Sequence, residues 1–213
     1  AVVIEGEEVV GSLLNAEGYD EFMKVCRFTW QRRTNNQENN SNNDNDDDDE
    51  NWIVVGKKRT YRCSCDDVGK FVRVVCETKE ERRISHEIGP IAMNVDIENK
   101  VKEILKNGSF KFKTKEQNGV RWTVDCSLQQ FSITSKQASR SSPWKNVEAR
   151  AAMSSDKKVE IFIGSFRVSV IPSLHRGSNA NEGEAGFDRD VCILALRSFK
   201  ERAIQSASSY RKK

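Results

Sequence analysis

Apolar and polar residues alternate with a period of two over most of this chain, and the alternation gives way to a helical period in two places. Residues 1–11 and 12–18 read as two short strands, and KVCRFTWQR at 24–32 puts Cys26, Phe28 and Trp30 on one face, the core face. An apolar run resumes at 52–55. In YRCSCDDVGKFVRVVCE at 61–77, Asp66-Asp67 before Val68-Gly69 makes a tight corner, after which Val72, Val74 and Cys76 point inward and Arg73 and Val75 outward. Beyond residue 108, Phe110 and Phe112 face one side and Lys111, Lys113 and Lys115 the other. Across an Asn118-Gly119 turn, Val120, Trp122 and Val124 continue the apolar face and Arg121 the basic one. Further strands are expected at 130–135, 146–153, 159–164, 166–171 and 190–197.

The two helical patterns punctuate this β-rich reading. In 94–108, Val95, Ile97, Val101, Ile104 and Leu105 form an apolar stripe, Asn94 or Asp96 caps the start, and Asn107-Gly108 supplies a left-handed stop. In 198–210, Ser198 with Glu201 makes a capping box, and Phe199, Ala203, Ile204 and Ala207 make the stripe. The chain is therefore expected to be mainly β and to divide into three parts. Residues 1–93, with a core Trp and turns every ten or so residues, read as an antiparallel sandwich of immunoglobulin type. A connector helix at 94–108 follows, packed on both neighbours. Residues 109–213 read as a pleckstrin-homology-like barrel of seven strands closed by a C-terminal helix. The sandwich departs from the immunoglobulin pattern: the inter-sheet cysteine pair is absent, Leu13 or Leu14 stands where the first would be, and Phe71 replaces the corner Tyr.

Composition narrows the function. With 213 residues and 37% hydrophobic content, the chain can bury a real core. No run of eighteen apolar residues and no secretory signal pattern occurs. Ala1 at the start is expected to mark a processed chain or an excised fragment. Most of the six cysteines sit in strand patterns, without framework spacing, and are expected to be reduced, mostly buried thiols of a cytoplasmic or nuclear protein. Cys63 and Cys65 read as two strand cysteines on one face; with only His86 and His175 in the chain, no zinc site is expected, and no other metal or cofactor.

Charge is distributed unevenly. Residues 35–50, NNQENNSNNDNDDDDE, hold seven acids and no base, so the net charge of +3 becomes +10 without them. This tract reads as a solvated hairpin insertion; it lacks the alternating carboxylates and turn glycine of a calcium loop. Residues 1–93 carry 13 Lys and Arg against 19 Asp and Glu, and the rest 22 against 13. An anionic partner is therefore to be sought on the second half.

The opening IEGEEVVGSLLNAEGY, then CRFTWQR, the corner DDVGKFVRVVC, the junction GPIAMNVDIENKVKEILKNGSFKF and the ending VCILALRSFKERA together resemble the fused C-terminal module of the plant stomatal closure-related actin-binding protein family. The first half also resembles the repeats of a plant leucine-rich-repeat microtubule-associated protein. The resemblance implies a cytoskeleton-associated coiled-coil protein whose actin-binding and dimerising segments lie elsewhere, with cytoskeletal or scaffold partners. It also implies phosphoinositide or inositol phosphate binding by the barrel at a membrane surface. The basic pattern of such sites runs across the first hairpin. Lys113, Lys115 and Arg121 match it in part, and Thr123 stands where its last Arg falls.

The leading expectation is a non-enzymatic binding module in which Lys111, Lys113, Lys115 and Arg121 on a hairpin face, with Lys136 and Arg140 on the next loop, form an anion site. Alternating lysines also serve as an ordinary solubility and edge-protection device. A protein-interaction or dimerisation module is the second class, and nucleic-acid binding the third, disfavoured because Trp122 faces inward and no recognition motif occurs. No catalytic motif is present: His86 reads as a surface strand residue, and 177–186 as a flexible glycine loop.

Overall fold

The computed structural model of the protein describes residues 1–34, 51–115, 118–152, 155–174 and 182–210; of 182–185 and 209–210 it describes the backbone. The acidic tract 35–50, His175, residues 177–181 of the glycine segment and the tail 211–213 lie outside the described residues. The chain is mainly β and falls into two compact units, Ala1–Asn94 and Val95–Lys213.

The first unit contains β1 (Val2–Glu5), β2 (Leu13–Gly18), α1 (Asp20–Val25), β3 (Arg27–Arg33), β4 (Trp52–Gly56), β5 (Thr60–Arg62), β6 (Val72–Glu77) and β7 (Arg82–Ile84). They form two antiparallel sheets, ordered β1-β2-β5 and β4-β3-β6-β7, in an immunoglobulin-like sandwich. Leu14 and Ala16 of the first sheet and Trp30, Val72, Val74 and Cys76 of the second are completely buried. The Trp30 ring stacks on Tyr61 of β5 at 5.6 Å, tying sheet to sheet. Leu14, not Leu13, occupies the inter-sheet position: Leu13 is half exposed.

Three local expectations are corrected here. The strand expected from residue 24 begins at Arg27, because 20–25 form α1, whose Asp20, Glu21 and Lys24 suit the helix dipole and whose Phe22 and Met23 are buried. Arg73 and Val75 are not outward and exposed but buried, because the second face of β6 is covered too: the Trp52 ring lies 4.2 Å from the Arg73 guanidinium, and Gln31 Oε1 accepts from Arg73 Nε at 2.8 Å. Cys65 opens a 3₁₀ turn, Cys65–Asp67, and so shares no strand face with Cys63; His86 likewise follows β7 instead of lying in it.

That turn anchors the unit. Ser64 caps it, and the Asp67 carboxylate, fully buried, accepts from Arg32 Nη1 (3.0 Å), the Tyr61 hydroxyl (2.8 Å), Ser64 N (2.6 Å) and Ser64 Oγ (3.0 Å). Burial, and then the Asp67 charge, push the Tyr61 hydroxyl well above its usual 10.0. In the unfolded chain Tyr61 ionises at that usual value and in the folded chain only above it. Its contribution is therefore intact below pH 10.0 and is lost as pH rises further. We expect the first unit to weaken above that pH, with the Tyr61 tyrosinate absorbance, isolated by difference from Tyr61→Phe, appearing together with unfolding. Reversible ionisation of Tyr61 in the folded chain near its usual value would contradict this.

The second unit opens with α2 (Val95–Lys106) and continues through β8 (Ser109–Thr114), β9 (Thr123–Ser127), β10 (Phe131–Thr134), β11 (Ser139–Ser142), β12 (Val147–Ala151), β13 (Val159–Ile163), β14 (Phe166–Val170), β15 (Pro172–Ser173) and α3 (Glu182–Tyr210). One antiparallel sheet runs β11-β10-β9-β8-β15 and the other β12-β13-β14; Ile171 carries the chain from β14 into β15, against β8. The two meanders followed by one C-terminal helix make the pleckstrin-homology-like order. Ile97, Val101 and Ile104 of α2 are buried, Val95 is not, and Gly108 ends the helix at φ 70°. The helix packs on α3 and β8. Truncating this stripe by Ile104→Ala should cost the second unit about 2 kcal/mol, which thermal melting of the chain reads.

The strand expected at 190–197 is instead the middle of α3, a 29-residue helix, and Ser198 lies within it, so no capping box starts there. Val191, Cys192, Ile193, Ala195, Leu196 and Phe199 are all essentially buried, whereas Ile204 and Ala207 of the expected stripe are exposed. Glu182–Gly186, expected to be loop, is its first turns. Arg189 forks onto Asp190 (3.0 and 2.8 Å) and donates to Asp156 O (2.8 Å), and Asp188 accepts from Leu174 N (3.0 Å); these bonds pin the helix start to two loops. Further along, Arg197 donates to Ala149 O (3.1 and 2.9 Å) and Lys200 to Val147 O (2.7 Å), along the outer edge of β12. Long as it is, neither α3 nor any other helix among the described residues is apolar enough to cross a membrane.

Candidate anion-binding face

The face is built by strand alternation. Along β8, Phe110, Phe112 and Thr114 are buried while Lys111, Lys113 and, just past the strand, Lys115 are exposed. The hairpin turn works as its sequence demands: Asn118 and Gly119 take φ of 51° and 74°. Thr114 and Trp122 close it, with Thr114 N donating to Trp122 O at 2.9 Å and Trp122 N to Thr114 Oγ1 at 3.0 Å. Trp122 is half-buried, edge-on to Phe166 at 6.2 Å, and Arg121 beside it is exposed.

Register then sorts the cations. Lys113, Thr123, Thr134 and Ser139 stand side by side on the outer face across β8, β9, β10 and β11. One row along, Lys111, Asp125, Ser132 and Ser141 do the same, and Lys111 Nζ is paired with Asp125 at 3.1 Å. Lys115 and Arg121 are exposed at the turn end of the hairpin, just outside the paired strands. Lys136 is exposed at that same end of the sheet, in the tight turn closed by Ser135 N to Ala138 O at 2.7 Å. Arg140 does not join them. It stands opposite buried Ile133, hence on the inward face, with its guanidinium 5.6 Å from the Phe166 ring.

The structure therefore brings the exposed Lys113, Lys115, Arg121 and Lys136 to one end of the sheet, pairs Lys111 with Asp125 beside them, and separates Arg140. Sequence pattern marks Thr123 only as a departure from the basic motif and does not single out Thr134 and Ser139; the hydroxyls of all three extend the Lys113 row and add neutral donors to it. Beneath this face, the Cys126 thiol is pushed up to about 12 by burial and the Asp125 charge.

Two other features of this unit were weighed against it. Arg150 and Arg167 flank Phe162 at 4.6 and 5.6 Å on the outer face of β12-β13-β14, and both bond Glu160. Burial alone would raise the Glu160 carboxyl, but the hydrogen bonds from Arg167 and Arg150 outweigh it and hold the carboxyl below its usual range. With Glu148 in the same row as Phe162, two arginines meet two glutamates and no net charge remains. A groove of about 470 Å³ between α2 and α3 is lined by Asn99, Lys102, Glu103, Leu105, Lys106 and Arg202. Its charges are partly spent locally: Lys102 pairs with Glu98 at 2.7 Å, and Arg202 donates to Leu105 O at 3.4 Å. No known family model matches the chain, and no curated protein matches it at a significant level.

Proposed function

We propose that the second unit is a non-enzymatic module that binds phosphate-bearing anionic surfaces weakly. Lys113, Lys115, Arg121 and Lys136 supply the charge, and the hydroxyls beside Lys113 supply further donors. The module serves a plant cytoskeleton-associated scaffold protein of the kind its sequence resembles. One observation carries the binding reading: register and turn geometry set the exposed Lys113, Lys115, Arg121 and Lys136 at one end of one sheet. Exposed lysines on flexible stems suit loose, multivalent contact with phosphates better than the fixed fork of a buried arginine. Such attraction between exposed charges is screened within about 8 Å at physiological salt.

Co-sedimentation with phosphoinositide-containing vesicles should exceed that with neutral vesicles, and Lys113→Ala/Lys115→Ala/Arg121→Ala should remove the excess without altering the melting curve. Undiminished binding by the triple variant would refute the site. Equal loss of binding in moderate salt for every anionic headgroup would reduce the interaction to surface charge.

A further inference from the structure

Two rows of side chains cross the outer face of β8, β9, β10 and β11: Lys113, Thr123, Thr134 and Ser139, then Lys111, Asp125, Ser132 and Ser141. Asp125 is the one carboxylate in these eight positions, which otherwise hold lysines and hydroxyls. It stands directly opposite Lys111 and diagonally across from Lys113, a separation of roughly 7–8 Å between diagonal neighbours. Lys111 Nζ lies 3.1 Å from an Asp125 carboxylate oxygen, with the two side chains 65% and 48% exposed. An ion pair so open to water is weak and is readily broken by a competing anion. Breaking it leaves the carboxylate in place, so a phosphate that takes Lys111 then faces a like charge.

We propose that Asp125 is the specificity-determining residue of this face: it holds Lys111 out of the site and penalises headgroups in proportion to their charge. The inference rests on the anion-binding reading above and accounts for the weakness of that binding. In water, a unit charge about 7 Å from a phosphate charge alters its binding about threefold, and the factor compounds with each further charge on the ligand. A phosphodiester carries one such charge and a phosphomonoester close to two. The carboxylate therefore opposes most strongly the headgroups that the lysines attract most strongly, and it levels the preference among them. Lys113, Lys115, Arg121 and Lys136 still attract an anionic surface, but the face does not reward a densely phosphorylated one.

The test uses the whole chain at low ionic strength, where exposed charges are least screened. Co-sedimentation is compared on neutral phosphatidylcholine vesicles and on vesicles containing equal fractions of either phosphatidylglycerol, a phosphodiester, or a phosphatidylinositol monophosphate, which adds a phosphomonoester. Asp125→Asn should raise the excess over neutral vesicles about threefold with phosphatidylglycerol and further with the phosphomonoester. Lys111→Ala should lower the excess, Lys111→Ala/Asp125→Asn should return it to the wild-type level, and Asp125→Glu, which keeps the charge, should match wild type. Because Asp125 is half exposed, melting curves of all the variants should coincide. Binding unchanged or lowered by Asp125→Asn, a gain no larger on the phosphomonoester vesicles, or the same gain from Asp125→Glu would overturn the inference while leaving the lysine site intact. A wild-type chain that binds no more than neutral vesicles retain would instead overturn the anion-binding reading. In that event binding gained by Asp125→Asn would still show Asp125 to be the limiting charge, and no gain would overturn both.

Discussion

Asp67→Ala should lower the stability of the first unit by about 3–5 kcal/mol, the range for breaking a buried ion pair from one side. The carboxylate is fully buried and accepts from four donors, so its removal strands several groups together. Arg32, with 13% of its side chain exposed, would keep a charge with no counter-ion, and its Nε already lacks a partner among the described residues. Tyr61 would lose its acceptor, and the 3₁₀ turn its cap. For a unit of this size each kcal/mol corresponds to roughly 4–8 °C in melting temperature. Hydrogen exchange read peptide by peptide should show the loss in β3, β5 and β6, with Asp67→Asn intermediate because it keeps shape and loses charge. A melting temperature unchanged by Asp67→Ala would show that the network is incidental to stability.

Phe199→Ala should cost the second unit about 3–5 kcal/mol by removing a buried ring and leaving a cavity. Phe199 has no exposed surface; it lies parallel to Trp144 at 6.3 Å, and Trp144 meets Phe131 edge-on at 5.5 Å, a chain of rings running from α3 into the sheet core. Phe199→Leu keeps most of the volume and should cost less than half as much. The comparison separates cavity formation from helix propensity, since both replacements are good helix formers. Equal losses for the two variants would point to the ring stacking instead. Tryptophan fluorescence follows the transition, because Trp144 reports directly on the packing being removed.

Where sequence and structure agree, a strand had one wet face and one dry face. β8 is the clearest case: its burial alternates residue by residue, and the Asn-Gly turn behind it adopts the backbone its residues favour. Where they disagree, both faces were covered or both were wet. The residues of α3 from Val191 to Leu196 are almost all buried, so no stripe distinguishes helix from strand, and the polar stretch before them hides the helix start. Trp52 likewise covers Arg73, which alternation alone places in solvent.

β11 failed in the opposite sense: SRSS at a sheet edge is exposed and carries no apolar signal. Missing that strand is what assigned Arg140 to a loop beside the lysines, when pairing with Ile133 turns it to the other face. The candidate face was thus legible to the extent that it lies on one hairpin, and lost its outermost member where it depended on the register of a third and fourth strand.

The row of bonds from α3 to β12 also bears on what this protein does at high concentration. An outer strand whose carbonyls point into water is a template on which a second chain can extend the sheet. Here Val147 O and Ala149 O already hold a lysine and an arginine from the chain's own helix, donors that an incoming strand would have to evict. That margin of the barrel is closed to edge-to-edge growth, so aggregation seeded there would first require the far half of α3 to lift away.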